Sequence, residues 1–165
     1  MAVIIAGFSG IGKTSLGKKY SNVIDLDSAE YAYDDSDILY LNLEQRKGMD
    51  RKQNEEWPEN YIKAIKDAIL KYEYVLVWDR IDVVEEYIKN KLDFILCYPS
   101  KDSLEIYKER YKKRGNSDLY IDKKIKEYDE KMKFFKELNI KKIILEGNDT
   151  LEKYLLRNGH KLIEK

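Results

Sequence analysis

Short apolar runs alternate along the chain with longer segments whose apolar residues recur every three or four positions. The short runs are rich in Val and Ile and lack polar alternation, which is typical of strands buried on both faces of a sheet. Strands that alternate with helices in this way predict an α/β fold with a parallel sheet. Five runs are predicted to be strands: Ala2–Ala6, Val23–Leu26, Tyr74–Trp78, Phe94–Tyr98 and Lys142–Leu145.

The longer segments predict helices between the strands. Apolar residues follow Pro58 at helical spacing, and proline suits the first turn of a helix. The string Asp82–Glu85 has the spacing of a capping box and predicts a short helix that ends at Leu92. Three further helices are predicted. The first has the apolar stripe Leu104, Tyr107 and Tyr111 and ends at Gly115, and the second, the longest, runs from Ile121 to Phe135. The third is Leu151–Arg157, which ends at Asn158-Gly159.

Residues 28–57 interrupt this regular alternation. The segment is polar, contains Asp34–Asp37 and Glu55–Glu56, and separates the second and third predicted strands by more than one helix. A long insertion in a compact fold is usually a functional lid or a mobile loop, and we expect a lid. The 165 residues suffice for one domain with a core and are too few for two ordinary domains, so we expect a single domain over residues 1–165.

The composition is that of a globular protein with a highly charged surface, 43% apolar and 38% charged. The 31 basic and 31 acidic residues cancel, so no overall field favours nucleic acid or an anionic membrane. No apolar run reaches the roughly 18 residues of a membrane span, and the N-terminal apolar stretch leads into glycines rather than a signal-peptide cleavage site. Cys97, the single cysteine, is interpreted as a buried packing residue. We therefore expect a cytoplasmic protein with small-molecule partners, and both a monomer and a homodimer stay open.

The string Gly7–Thr14, GFSGIGKT, matches the phosphate-binding pattern G-x-x-x-x-G-K-[ST]. It follows a predicted strand and leads into a predicted helix start, as the motif requires. Glycines let the backbone turn so that successive N–H groups point at phosphate oxygens, and a helix N-terminus adds partial positive charge. Lys13 is expected to reach the β- and γ-phosphates of ATP, and the Thr14 hydroxyl to bind Mg²⁺. The candidate nucleotide-binding residues are Ser9, Gly10, Ile11, Gly12, Lys13, Thr14 and Ser15.

Two other classes of nucleotide-binding protein fit the sequence less well. Asn90–Asp93 matches the guanine-binding pattern Asn-Lys-x-Asp, but it precedes a predicted strand and so lies at the wrong edge of the sheet for a ligand. No Asp-x-x-Gly switch follows the third predicted strand, which also argues against a GTPase. An oligomeric ATPase motor would need a longer chain. A compact kinase is the class that remains.

The order of motifs resembles the nucleoside monophosphate kinase-like P-loop family, which includes adenylate, thymidylate, shikimate and dephospho-coenzyme A kinases. The resemblance extends over residues 1 to about 135 and is carried by Gly7–Thr14, Asp25–Ser28, Val75–Arg80 and Tyr107–Gly115. The chain looks most like short nucleotide kinase-like P-loop proteins of bacteriophages and their Gram-positive hosts. This resemblance implies a three-layer fold with strand order 2-3-1-4-5, an acceptor-binding insertion at residues 28–57, and an arginine-bearing lid around residues 110–120. The chain lacks the Asp-Gly-Phe/Tyr-Pro-Arg string of many adenylate kinases, which leaves the acceptor open.

Acidic residues close two of the predicted strands. Asp79 ends the third strand beside the glycine loop, where a carboxylate that organises Mg²⁺ belongs, and a helix cap is the alternative. Alternation along the second strand places Asp25 and Asp27 on the same side. In the hydroxyl kinases that the chain resembles, an aspartate here takes a proton from the acceptor or helps to hold the metal. Asp25 is therefore a candidate base and Asp27 a candidate substrate-binding residue, and solvated acids in a turn are the alternative.

Arg110 and Arg114 are four residues apart and so share one face of a predicted helix. Two arginines there can form bidentate hydrogen bonds with phosphate oxygens and neutralise charge in the transition state. The neighbouring lysines also fit the alternative of a solvated basic surface. Arg46, Lys47 and Arg51 are the cations of the insertion available for an acceptor phosphate, and Arg80 is a further candidate. The insertion and its flank offer stacking surfaces, although packing is the favoured interpretation of each: Tyr31, Tyr33, Tyr40, Trp57 and Tyr61.

These residues support three functional hypotheses. The preferred one is ATP- and Mg²⁺-dependent phosphoryl transfer to a small acceptor, a ribo- or deoxyribonucleoside monophosphate first of all. A kinase for a hydroxyl group on a metabolite, nucleoside or polynucleotide 5′ end would need Asp25 as a base. A nucleotide-binding regulator without catalytic activity is the third.

Overall fold

The apolar runs of the sequence form one parallel sheet at the centre of the molecule. The computed structural model describes residues 1–47 and 49–165. Its five strands lie in the order β2-β3-β1-β4-β5. The strands are β1 (Val3–Gly7), β2 (Val23–Asp25), β3 (Tyr74–Trp78), β4 (Phe94–Pro99) and β5 (Lys142–Leu145). The predicted α/β class, the parallel sheet and the strand order are confirmed.

Eight α-helices surround the sheet within the described residues. They are α1 (Lys13–Lys19), α2 (Ala29–Ala32), α3 (Leu43–Lys47), α4 (Glu59–Ala68), α5 (Ile81–Lys89), α6 (Leu104–Lys113), α7 (Asp118–Lys136) and α8 (Leu151–Arg157). The periodic stripes predicted from the sequence form the buried faces of α6 and α7. None of the helices in this described part combines the length and apolar character needed to cross a bilayer.

The start of α5 differs from the prediction. The helix begins at Ile81 with Arg80 at the N-cap position, so the capping box predicted at Asp82 is wrong. Asp82 lies in the first turn, where its carboxylate accepts two hydrogen bonds from the Arg80 guanidinium. The acid therefore neutralises a neighbouring cation instead of capping the helix. The helix also ends earlier than Leu92, at Lys89.

The insertion, residues 28–57, folds back on itself. It contains α2, a 3₁₀ turn at Ser36–Ile38, and α3. Its first and last parts pair with each other. Tyr33 and Gln53 form an antiparallel bridge, and the Asn54 amide donates to the Ala32 carbonyl. At its end the ring of Trp57 stacks on Tyr61 of α4, with centroids 5.4 Å apart. The segment is thus anchored at both ends beside β2 and β3.

The sheet register places the ends of three strands side by side. Gly7 at the end of β1 lies opposite Trp78 of β3 on one side and Cys97 of β4 on the other. The edge strand β2 ends at Asp25, opposite Leu76 of β3. Loops that follow these strands therefore meet at one edge of the sheet, as parallel strands require.

Candidate phosphate-binding site

The glycine loop between β1 and α1 depends on two left-handed residues. Gly10 has φ 95° and Gly12 has φ 101°, values that L side chains rarely adopt. A Cβ at position 10 would also lie 3.1 Å from the Tyr107 ring and 3.2 Å from the Tyr111 ring. The glycines of the motif are thus explained by backbone conformation and by the close approach of α6.

Three consecutive carbonyl groups of the loop are held by groups outside it. The Tyr111 hydroxyl donates to the Ser9 carbonyl at 2.6 Å, and Arg110 Nη1 donates to the Gly10 carbonyl at 2.9 Å. The Leu151 amide, at the start of α8, donates to the Ile11 carbonyl at 3.0 Å. In a trans peptide the carbonyl and the following N–H point in opposite directions. The Gly10 and Gly12 amides, which follow the Ser9 and Ile11 carbonyls, therefore point away from α6 and α8, whereas the Ile11 amide donates to the Phe8 carbonyl at 3.4 Å.

The amides that result are free to bind a ligand. Among the described residues, the main-chain N–H groups of Gly10, Gly12, Lys13 and Thr14 donate to no protein acceptor. Main-chain donors are nearly always satisfied in folded proteins, by protein atoms, by water or by a ligand. A concave run of such donors is the geometry that binds anionic oxygens.

Lys13 lies under this loop. Its ammonium donates to the Gly7 carbonyl at 2.6 Å and to the Phe8 carbonyl at 3.4 Å. Burial lowers the pKa of Lys13, while the charges of Asp79 and Asp25 act in the opposite direction. The lysine is thus a cation held between carbonyl groups and two acids at the front of the sheet.

Thr14 and Asp25 form a direct contact between α1 and β2. The Thr14 hydroxyl donates to Asp25 Oδ2 at 3.1 Å. Gly17 makes this approach possible, because a Cβ there would lie 3.0 Å from both the Cβ and the amide nitrogen of Asp25. Burial raises the pKa of Asp25, and the nearby Lys13 charge and the Thr14 hydrogen bond oppose that rise.

Asp79 lies at the carboxyl end of β3, as predicted, and is almost fully buried at 1% exposure. Its Oδ1 accepts a hydrogen bond of 2.6 Å from the ammonium of Lys131, which is on α7. Its Oδ2 is buried and has no hydrogen-bond partner among the described groups. Sequence reasoning missed Lys131. The available signal was a charged residue within the apolar stripe of α7, three residues after Tyr128 and four before Phe135.

The two arginines predicted on α6 have different positions. Arg110 contacts the glycine loop, donates a weaker hydrogen bond to the Asp149 carbonyl at 3.3 Å, and stacks over the Tyr107 ring at 4.4 Å. Arg114 caps the C-terminal end of α6 and is exposed. The structure thus brings one of the pair to the loop. Asp149 and the Leu151 amide were not predicted, although their position after β5 places them at the same edge of the sheet.

Two cations of the insertion are held by one acid. Arg51 forms two hydrogen bonds with the Asp35 carboxylate, and Arg46 Nη1 lies 3.6 Å from the same group. Arg46 also donates to the Leu39 carbonyl, so its contacts with Leu39 and Asp35 both lie within the insertion. Arg51 lies over the Tyr33 ring at 4.2 Å. Of the two, Arg51 is the one directed toward the aromatic residues near β3.

Arg80 and Asp27 line the other side of that region. The Arg80 guanidinium lies 4.5 Å from the Trp78 ring centroid and 5.9 Å from that of Trp57. The Asp82 hydrogen bonds raise the pKa of Arg80, and Tyr33 contributes in the same direction. Asp27 is exposed and lies beyond the end of β2, where its carboxylate accepts from the Ala29 amide at 3.0 Å. The predicted alternation of Asp25 and Asp27 along a strand is therefore wrong, because β2 ends at Asp25.

The remaining aromatic candidates divide into packing and surface residues. Tyr61 is fully buried and donates its hydroxyl to the Leu26 carbonyl at 2.9 Å. Tyr31 packs against Tyr61 with ring centroids 5.3 Å apart, and Tyr40 is 81% exposed. The guanine-like string Asn90–Asp93 lies between the end of α5 and the start of β4, at the opposite edge of the sheet from the loop.

The residues at the loop fit a magnesium ion that is shared with a nucleotide. In the described part of the chain no three His, Cys, Asp or Glu side chains group together as a metal site. Mg²⁺ in phosphate sites uses one or two carboxylates together with phosphate oxygens and water, so a protein cage is not required. The Thr14 hydroxyl, the Asp25 carboxylate and the unpartnered Oδ2 of Asp79 are oxygen donors of the right kind.

Comparisons with protein-family models, with curated proteins and with solved structures found no match to this chain.

Proposed function

We propose that the protein is a P-loop phosphotransferase that binds ATP with Mg²⁺ and transfers the γ-phosphoryl group to a small acceptor. A ribo- or deoxyribonucleoside monophosphate is the preferred acceptor. The α/β sheet with order 2-3-1-4-5 supports this proposal, since the glycine loop follows its central strand. We further propose that it acts in the cytoplasm on small molecules, without nucleic acid as a partner.

The single observation that carries the proposal is the arrangement of the glycine loop. The Ser9, Gly10 and Ile11 carbonyl groups are bonded to α6 and α8, while the amides of Gly12, Lys13 and Thr14 have no acceptor within the described residues. Free amides beside an ammonium group are suited to the β- and γ-phosphates of a nucleotide.

Thr14, Asp25 and Asp79 would hold Mg²⁺, which supplies positive charge to the phosphoryl oxygens as the bond to the leaving group breaks. The loop amides and Lys13 orient the triphosphate. Arg110 holds the Gly10 carbonyl and so supports the loop from α6, in place of the lid contact implied by the resemblance. Because phosphoryl transfer requires little covalent work from the protein, positioning and countercharge account for most of the rate.

The acceptor is proposed to bind between the insertion and the ends of β2 and β3. Arg51 and Arg80 supply positive charge there, and Tyr33, Trp57 and Trp78 supply aromatic surface. Both arginines are already paired with acids, Asp35 and Asp82, so an acceptor phosphate would compete with or rearrange these pairs. An acceptor that carries both a base and a phosphate matches this combination of groups.

A hydroxyl acceptor is the second candidate, and Asp25 favours it. Burial raises the pKa of this carboxyl, and its Oδ2 lies 3.1 Å from the Thr14 hydroxyl at the front of the loop. A base at this place would take the proton of an acceptor hydroxyl. A phosphate acceptor has no proton to remove, so the two candidates differ in their need for Asp25.

The test is a coupled ADP-release assay with ATP and Mg²⁺ against a panel of acceptors. The panel contains the ribo- and deoxyribonucleoside monophosphates, the nucleosides and a 5′-hydroxyl oligonucleotide. We expect ADP release that depends on one or a few monophosphates. Nucleotide binding without ADP release for any acceptor would contradict phosphotransfer and would favour a regulator.

A further inference from the structure

A lysine occupies the buried face of α7, where an apolar residue would ordinarily pack. The buried residues of this helix are Ile121, Tyr128, Lys131 and Phe135. Lys131 is 5% exposed and its ion-pair partner Asp79 is 1% exposed. A buried ion pair usually stabilises a fold no better than apolar residues of similar volume. Its presence here is therefore weak evidence for a stabilising role, and a role at the neighbouring loop is worth testing.

The position of the pair suggests the explanation. The Lys131 ammonium is 2.6 Å from Asp79 Oδ1 and 5.1 Å from the centroid of the Phe8 ring. Phe8 belongs to the glycine loop, and its carbonyl accepts a hydrogen bond of 3.4 Å from Lys13. The ion pair thus lies directly behind the loop, with Phe8 in contact with both ammonium groups.

The charges of this cluster act on Lys13. Of the charged neighbours, Asp79 exerts the strongest attraction on the Lys13 ammonium, and Lys131 opposes it. A buried Asp79 without a counterion would draw Lys13 toward itself and away from a polyphosphate. Lys131 supplies that counterion through its contact with Asp79 Oδ1. The buried Oδ2 of Asp79 stays without a protein partner, so the pair leaves one oxygen of the acid uncommitted.

We infer that Lys131 is a positioning residue of the phosphate site: its pairing with Asp79 keeps the Lys13 ammonium available to the triphosphate. This inference rests on the proposed function, since it assigns Lys131 to the same nucleotide site. Lys131 touches no reacting atom in this arrangement and acts through Asp79 and Lys13.

The test measures ATP affinity by calorimetry in EDTA, so that no metal contributes, together with thermal unfolding. The variants are Lys131→Met, which has similar length without charge, Lys131→Arg, which keeps the charge, and the double variant Asp79→Asn/Lys131→Met. Lys131→Met is expected to weaken ATP binding about tenfold or more, equivalent to about 1.4 kcal/mol. Lys131→Arg is expected to keep most of the affinity. The double variant is expected to recover most of the loss, because it removes the uncompensated acid.

Two results would overturn the inference. The first is wild-type affinity in Lys131→Met with only a lower unfolding temperature, as a structural role would produce. The second is a double variant as weak as the single one. If Lys131→Met does not fold, Asp79→Asn is compared with the double variant. Because Lys131 acts through Asp79 in this inference, the two variants are expected to bind ATP alike, and a double variant about tenfold weaker than Asp79→Asn would refute the inference.

Failure of this inference is distinguishable from failure of the proposed function. If Lys13→Ala weakens ATP binding but Lys131→Met does not, the nucleotide site stands and the role of Lys131 is refuted. If the wild-type protein does not bind ATP, both are refuted.

Discussion

The Thr14 hydroxyl donates a 3.1 Å hydrogen bond to Oδ2 of Asp25, and this contact joins the first turn of α1 to the end of β2. It places a carboxylate beside the hydroxyl that the loop motif assigns to Mg²⁺. The contact depends on Gly17, which lies on α1 one turn after Lys13 and leaves room for the Asp25 backbone. The position of Asp25 beside Thr14 therefore depends on the packing of a residue outside the loop.

Substitution of Gly17 tests that dependence. Gly17→Ala would place a Cβ 3.0 Å from the Asp25 amide nitrogen, so β2 must shift and Asp25 must move relative to Thr14. We expect lower Mg²⁺-dependent turnover with little change in ATP affinity measured in EDTA. The substitution itself favours helix by about 0.5–1 kcal/mol, so a loss of activity would not reflect a weaker helix. Lys18→Ala, an exposed change on the same helix, is the control; an equal effect of both would contradict the role of Gly17.

The Asp25→Asn variant distinguishes a hydroxyl acceptor from a phosphate acceptor. For a hydroxyl acceptor the loss of a general base is expected to lower turnover about 10²–10⁴-fold while the nucleotide still binds. For a phosphate acceptor no proton is removed and only the contact to Mg²⁺ is weakened, so we expect a smaller loss that a higher Mg²⁺ concentration restores. Turnover and ATP affinity are measured on the same preparations with the acceptor found in the ADP-release assay. A large loss with a monophosphate acceptor that persists at a high Mg²⁺ concentration would contradict these roles of Asp25.

Arg110 is expected to support the loop from outside. Arg110→Ala removes the hydrogen bonds to the Gly10 and Asp149 carbonyl groups, so the loop loses its side-chain contact to this part of α6. We expect weaker ATP binding by about tenfold, equivalent to about 1.4 kcal/mol. Lys112→Ala, which removes an exposed residue of the same helix, is the matched control. Unchanged ATP affinity in Arg110→Ala would place this arginine outside the nucleotide site.

Arg114→Ala tests the lid that the family resemblance implies. Arg114 is exposed at the end of α6 and makes no side-chain hydrogen bond within the described residues. If it closes over the phosphates during turnover, its loss lowers kcat and leaves ATP affinity unchanged. Steady-state kinetics with unchanged kcat would show that the lid role does not apply to Arg114.

Glu152 is expected to make stability depend on pH. Its carboxylate accepts hydrogen bonds from Lys19 and Tyr20, and so joins α8 to α1. The Lys19 hydrogen bond, followed by that of Tyr20, lowers the pKa of Glu152 from its ordinary value of 4.5. A lowered pKa contributes stability above pH 4.5 that is lost as the pH falls through the lower folded-state value. Glu152→Gln should therefore lower the unfolding temperature at neutral pH, and the difference from wild type should shrink below pH 4.5.

The control for this pH dependence is Glu105→Gln, in an exposed pair with Lys108 on α6. Exposed pairs of this kind contribute little, so its unfolding temperature should match wild type at both pH values. A Glu152→Gln variant whose unfolding temperature also matches wild type at neutral pH would refute the stabilising role of this contact.

The parts of the fold that were predictable are those encoded by local pattern. Buried parallel strands are recognisable as apolar runs and the glycine loop as a motif, because each depends on residues that are close together in the sequence. Lys131 is conspicuous as a charged residue in the apolar stripe of α7, but its partner Asp79 is 52 positions away, so the pairing itself was not predictable. The acid that binds Arg46 and Arg51 was equally unpredictable, since any of several acids in the polar insertion satisfied the same charge pattern.

The errors have the same origin. Asp82 has the spacing of a capping residue, but Arg80 binds its carboxylate and α5 starts one residue before it. Asp27 was placed on a strand because a three-residue strand and a turn cannot be told apart by alternation. In both cases the acid makes a local contact, with Arg80 and with the Ala29 amide, that the sequence pattern does not specify.

The central claim is that free loop amides and the Lys13 ammonium hold a triphosphate. Its most direct test is a calorimetric titration of wild type, Lys13→Ala and Lys18→Ala with ATP and Mg²⁺. We expect wild type and Lys18→Ala to bind alike, and Lys13→Ala to bind at least about tenfold more weakly. Equal affinity in all three proteins would contradict the account of the site.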